Sequence, residues 1–219
     1  MSQQRIPLFF RSVASRFMVG LLLLAVFAGC EALFTTNLFE NFARDPENMS
    51  EAQLVAYGNE AVASGDRDRM ANAFNSLSEK VGDRDLSDDP ETRNTLVELG
   101  LGATDIVSVV RDNIEDPTGV SVEDFDDERR AIARDTADIM LQADPEDFSP
   151  DRWAYAAAGV GLAALGDGED WEDEDAWSDV NPEDADRVKG LLDNALVGYD
   201  DDSDTFDQIQ RLRDQLPEG

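Results

Sequence analysis

Forty-nine carboxylates are the only abundant groups in this 219-residue chain with the chemistry of a general acid, base or nucleophile. There is no histidine, and Cys30 is the single cysteine. This composition removes histidine-based zinc sites, Ser-His-Asp and Cys-His arrangements, and the commonest general base. Glycosidase-type chemistry needs two carboxyl groups at a set separation, but among so many acids every spacing arises by chance and no pair stands out. The run Asp200-x-Asp202-x-Asp204 begins like a calcium-binding EF-hand loop. Thr205 stands where that loop needs glycine and Arg211 where it needs its final glutamate, so the run reads as a solvated acidic turn. The expectation is a protein that is not an enzyme, with no catalytic residue, no metal and no cofactor.

Charge narrows the partners further. The formal net charge is −31, and Lys80 and Lys189 are the only lysines. A surface this acidic repels phosphate backbones, so nucleic acid is excluded as a partner. Self-repulsion at this density opposes a compact state in dilute buffer and is screened over roughly 8 Å at physiological ionic strength, less in brine. Excess aspartate with scarce lysine resembles a halophilic acidic surface, with specialisation for basic partners or for calcium as the alternatives. Disorder is the competing reading of such charge, but 42% of residues are hydrophobic and they recur periodically, so most of the chain is expected to fold.

The first 30 residues have a different character. Arg5, Arg11 and Arg16 precede an apolar run from Phe17 to Gly29, with no acid before Glu31. Thirteen residues of helix span about 20 Å, short of the roughly 30 Å hydrocarbon layer. A basic start, a short apolar middle and small residues at the end make a secretory signal. A lone cysteine in an exported chain has no disulfide partner. Phe27-Ala28-Gly29-Cys30 resembles the lipobox of bacterial lipoproteins, departing from it in carrying Phe27 in place of leucine. That resemblance implies removal of residues 1–29, diacylglycerol on the Cys30 thiol and an acylated amino group, so that the chain is held on a membrane by its lipid anchor. Glu31 in place of aspartate, by the same resemblance, implies the outer membrane facing the periplasm of a bacterial cell envelope. Residues 30–48 read as a tether between anchor and domain, with Phe34, Phe39 and Phe42 favouring partial docking back on the domain, and residues 49–219 read as one domain.

The elements of that domain are announced by their starts. Ser50 with Gln53 has the spacing of a capping box, and Asp89-Pro90, Ser149-Pro150 and Asn181-Pro182 each place a cap residue before a first-turn proline. Apolar spacing predicts further helices through Met70, Phe74 and Leu77, through Ile132, Thr136, Ile139 and Met140, and through Phe206, Ile209, Leu212 and Leu216. Nothing alternates with a period of two for long enough to make a strand. The fold class is all-α.

A pattern repeats within it. Leu54-x-x-Tyr57-Gly58-x-x-Ala61 recurs as Leu96-x-x-Leu99-Gly100-x-x-Ala103 and as Tyr155-x-x-Ala158-Gly159-x-x-Leu162. Each glycine falls mid-helix, where it costs about 1 kcal/mol against alanine, so close packing by a neighbouring helix is the expected compensation. Gly65-Asp66 and Gly166-Asp167 follow the first and third copies as turns. The pattern resembles the first helix of the tetratricopeptide repeat. It departs from that family in the spacing of its glycines, 42 and 59 residues, which requires insertions near Asn113–Glu123 and Asp167–Val180, and in lacking an aromatic at Ala61, Ala103 and Leu162. The resemblance implies an α-solenoid of about three helical hairpins with a C-terminal capping helix. On that alignment Val55, Asn59 and Val62, then Val97, Leu101 and Thr104, then Ala156, Val160 and Ala163 line an inner groove, which either receives a partner or is filled by the Phe206 to Leu216 helix. Trp171 and Trp177 either cover the third hairpin or meet a partner. The function expected is a lipid-anchored adaptor that binds another envelope protein through the groove. The alternative is a periplasmic carrier that holds a hydrophobic small molecule there for a transporter.

Overall fold

The computed structural model describes residues 46–112, 125–165 and 174–217. Cys30, the signal segment, the three tether phenylalanines, the Asn113–Glu123 insertion, Gly166-Asp167 and Trp171 lie outside the described residues. The described residues belong to one unit that begins at Pro46. They contain no strand, as the lack of period-two alternation predicts. No helix among them is long and apolar enough to cross a membrane.

Helix starts fall where caps and prolines place them. A 3-10 turn at Pro46–Asn48 leads into α1 (Glu51–Ser64), where the Gln53 side chain accepts from the Ser50 backbone N–H at 3.0 Å. Gly65 ends α1 in the left-handed region, at φ 68°, where glycine has no Cβ to crowd the backbone. Asp66 caps α2 (Arg67–Val81), and Asp89 with Pro90 opens α3 (Pro90–Thr104). After α3 comes a short helix the sequence reading does not contain, α4 (Ile106–Asp112). Asp126 caps α5 (Asp127–Met140), which runs through a second 3-10 turn at Pro145–Asp147 into α6 (Pro150–Ala164). The short α7 (Glu174–Trp177) precedes α8 (Pro182–Gly198), which Asn181 caps, and Ser203 caps the final α9 (Asp204–Gln215).

Packing follows chain order. The helix α1 lies against α2 and α3; α3 against α2, α5 and α6; α5 against α6 and α8; and α6 most extensively against α8, while α9 packs on α8. The main core takes Leu54 from α1, Phe74 and Leu77 from α2, Leu96 and Leu99 from α3, Ile132 and Met140 from α5, Trp153 from α6 and Leu191 from α8. Trp177 is buried in this core, so of the two roles open to it covering is the one it fills. A smaller satellite cluster forms around Ile106, Phe125, Ala133, Leu162 and Ala163, where α4 meets α6.

The joint between α3 and α6 is built from polar as well as apolar groups. Arg93 on α3 is buried, and its guanidinium donates to the Asp147 carboxylate at 2.7 Å and lies 5.8 Å from the Phe148 ring centre. Phe148 meets Trp153 edge to face at 5.5 Å, and the Trp153 indole N–H donates to the Pro145 carbonyl at 3.0 Å. The 3-10 turn is thereby fixed against both helices by one cation, two rings and one carbonyl.

Candidate functional site

The nine residues expected to line a groove fall into three environments. Val55, Val97, Thr104, Ala156, Val160 and Ala163 are buried, Val62 and Leu101 are half-buried, and Asn59 is exposed. Helices of this chain supply much of what covers them: α3 covers α1 near Gly58, and α5 covers α3 near Gly100. The helix α9 sits on α8 instead. Sequence spacing identifies these positions as apolar faces, but an apolar face looks the same whether a partner or the next helix buries it.

A gap lies between these faces. Gly100, Leu101 and Thr104 of α3, Ile106 of α4, Ala133 and Thr136 of α5, and Tyr155, Ala156 and Gly159 of α6 surround a crevice of about 10 Å³. Both threonine hydroxyls are already used as donors: Thr136 donates to the Ile132 carbonyl at 2.6 Å and Thr104 to the Gly100 carbonyl at 2.9 Å. What remains is space for about one water molecule or one small apolar group. Ligand pockets run to several hundred cubic ångströms, so a lipid finds no room in this crevice.

The crevice opens beside the satellite cluster, and the rim stays partly exposed. Leu101, Val109, Val110, Tyr155 and Ala158 are half-buried there, and Val107 on α4 is 39% exposed. Beside them Arg152 of α6 pairs with Glu98 of α3, which ties the two helices together across the joint. Of these residues the sequence assigns only Leu101 to the groove; Tyr155 stands in the sequence pattern as a packing position of the repeat, and the valines of α4 come from an unassigned segment. Their i, i+2, i+3 spacing from Val107 to Val110 is the signal that was there to use.

Carboxylates elsewhere form structural networks. Asp184 of α8 is buried and accepts twice from the Arg134 Nε, at 3.0 and 2.9 Å, and once from Arg187 at 2.9 Å. Arg134 also donates to the Ala163 carbonyl near the end of α6, and Arg187 grips Asp138 of α5 with two bonds at 2.7 and 3.0 Å. The Asp138 contact, with Asp184 adding to it, holds the Arg187 guanidinium more firmly protonated than usual. Nearby, burial pushes the Asp135 carboxyl above the ordinary carboxylate range, and Asp138 pushes it the same way. Asp200–Asp202 lie in an exposed turn and Asp204 begins α9. No cluster able to hold a metal ion occurs among the described residues.

Comparison with known protein families, with curated proteins and with solved structures returns no match for this chain.

Proposed function

We propose that this chain is an adaptor of the bacterial cell envelope, lipid-anchored at Cys30 in the outer membrane, that binds another envelope protein and carries out no catalysis of its own. In this reading α1 with α2, α3 with α5 and α6 with α8 are three hairpins stacked as in a tetratricopeptide solenoid, and α9 caps the end. The neighbour-to-neighbour packing of the helices supports that arrangement. Three acyl chains at roughly 0.8 kcal/mol per buried methylene make the attachment effectively permanent and raise the effective concentration for membrane-bound partners.

The observation that carries the reading is the half-buried apolar rim of Leu101, Val109, Val110 and Tyr155, with the exposed Val107 on the same short helix α4, on a chain otherwise dominated by carboxylates. A contiguous apolar patch rimmed by charge is the usual form of a protein-binding surface. The crevice behind it takes one small apolar side chain, and the surrounding acids favour a partner segment with basic residues on either side. For the carrier reading, this crevice is too small to hold the cargo.

A photo-crosslinking residue placed at Val107 in the full-length membrane-anchored protein tests this, with Val197 on α8, 66% exposed, as the control site. The expected outcome is a discrete crosslink to an envelope protein from Val107 alone, lost in Leu101→Asp and lost when Cys30→Ser removes palmitate labelling. Equal labelling from both sites, or a crosslink indifferent to Leu101→Asp, rejects the surface. Palmitate labelling that persists in Cys30→Ser rejects the anchor.

A further inference from the structure

The final helix is attached differently from the others. Whereas α3, α5 and α6 each pack on three or more helices, α9 packs chiefly on α8. Within α9 itself only Ile209 is buried, with Leu216 just beyond its end and Leu212 half-buried. Among the described residues a single ion pair crosses the joint, Arg213 to Asp193 at 2.8 Å, and both of its side chains are over a third exposed. The Gln215 side-chain oxygen is buried and finds no donor among the described residues. Such an oxygen weakens the docked state, since its hydration is lost without replacement.

Charge works against the same joint. Residues 200–217 carry six aspartates against two arginines, and α8 carries four acids against two bases. Two net-negative elements are therefore held together by a narrow apolar seam, and their repulsion depends on screening. The chain is pinned just before the joint: the Tyr199 hydroxyl donates to Asp151 of α6, and Gly198 approaches Pro150 so closely that a side chain there would collide with it. Beyond Tyr199 the Asp200–Asp202 turn is exposed, so α9 is held chiefly by Ile209, Leu212 and Leu216, which join the main core beside α8.

We propose that α9 is a salt-governed strap: screened by salt it covers the side of α8 that carries Asp193, and at low ionic strength it lifts away and leaves that side open. This inference is independent of the adaptor reading, since it rests on the α8–α9 joint alone.

Hydrogen–deuterium exchange on the full chain tests it. Between about 0.02 M and 1 M sodium chloride, protection of the amides in residues 204–216 is expected to rise about tenfold more than protection of α6 and α8. Asp200→Asn, Asp201→Asn and Asp202→Asn combined, all in an exposed turn, should give α9 at low salt much of the protection that the parent reaches only at high salt. Protection of α9 that ignores salt, or that rises only in parallel with α8, overturns the proposal. So does a triple variant whose α9 remains as salt-sensitive as the parent's.

Discussion

Gly100 and Gly159 occupy equivalent places in the repeated pattern, yet they face different surroundings. A Cβ on Gly100 would lie 1.9 Å from the Thr136 hydroxyl oxygen and 3.0 Å from its Cβ. That threonine is β-branched and its hydroxyl is already bonded to the Ile132 carbonyl, so it has little freedom to move. At Gly159 the nearest atoms are Ala133 Cβ at 3.6 Å and Ile106 Cγ1 at 3.7 Å, ordinary contacts with room for a methyl group. Close packing therefore accounts for Gly100 and, with Leu99 Cδ1 at 2.9 Å, for Gly58, but the same expectation for Gly159 is corrected by the space around it. Gly100→Ala should destabilise by about 2–3 kcal/mol through overpacking, while Gly159→Ala should stabilise by about 0.5–1 kcal/mol through helix propensity. Urea unfolding of the two variants beside the parent checks both signs. Equal losses at the two sites would mean that α5 approaches α6 as tightly as it approaches α3.

Between elements, the arginines decide the arrangement more than their number suggests. Asp184, in the first turn of α8, takes bonds from Arg134 and Arg187, and Arg187 continues to Asp138 of α5. Removing the Asp184 charge leaves two guanidiniums without their shared, buried partner, and breaking such a pair on one side costs about 3 kcal/mol or more. Asp184→Asn should therefore lower stability by about 3 kcal/mol, whereas Asp193→Asn, which breaks the exposed pair with Arg213, should cost no more than about 1 kcal/mol. Chemical denaturation of both variants separates the two cases, and similar losses would show that burial of Asp184 is not what makes its pairs count. None of this network was legible beforehand. Helix starts were, because the Asp89 and Asn181 side chains accept from backbone N–H groups two or three residues on, and Pro90, Pro150 and Pro182 each sit in the first turn of their helix. The pairs Arg134–Asp184 and Arg93–Asp147 join residues about fifty apart, and in a chain with 49 acids spacing alone cannot say which carboxylate an arginine will choose.

For the molecule as a whole, the same asymmetry governs stability. Arg67, Arg69, Arg84, Arg93, Arg134, Arg152, Arg187 and Arg213 are each engaged with a carboxylate, and Arg130 and Arg211 with backbone carbonyls. The described arginines thus serve as internal ties, and the excess of acids that gives the −31 net charge is left largely to face solvent and one another. Salt acts on these two populations in opposite directions. It weakens the exposed pairs, each worth about 0–1 kcal/mol, and it screens repulsion summed over many more like-charged neighbours. The buried Asp184 pairs and the Arg93 contact are screened least, so little is lost there as salt rises. Repulsion is the larger exposed sum, and the thermal midpoint of the full chain should rise steeply from low to molar sodium chloride. Potassium chloride should act nearly as well, because screening depends on ionic strength and not on a bound cation. A flat response would place the balance with the ion pairs and leave the acidic surface without a role in stability. A rise with one cation only would instead indicate a specific site.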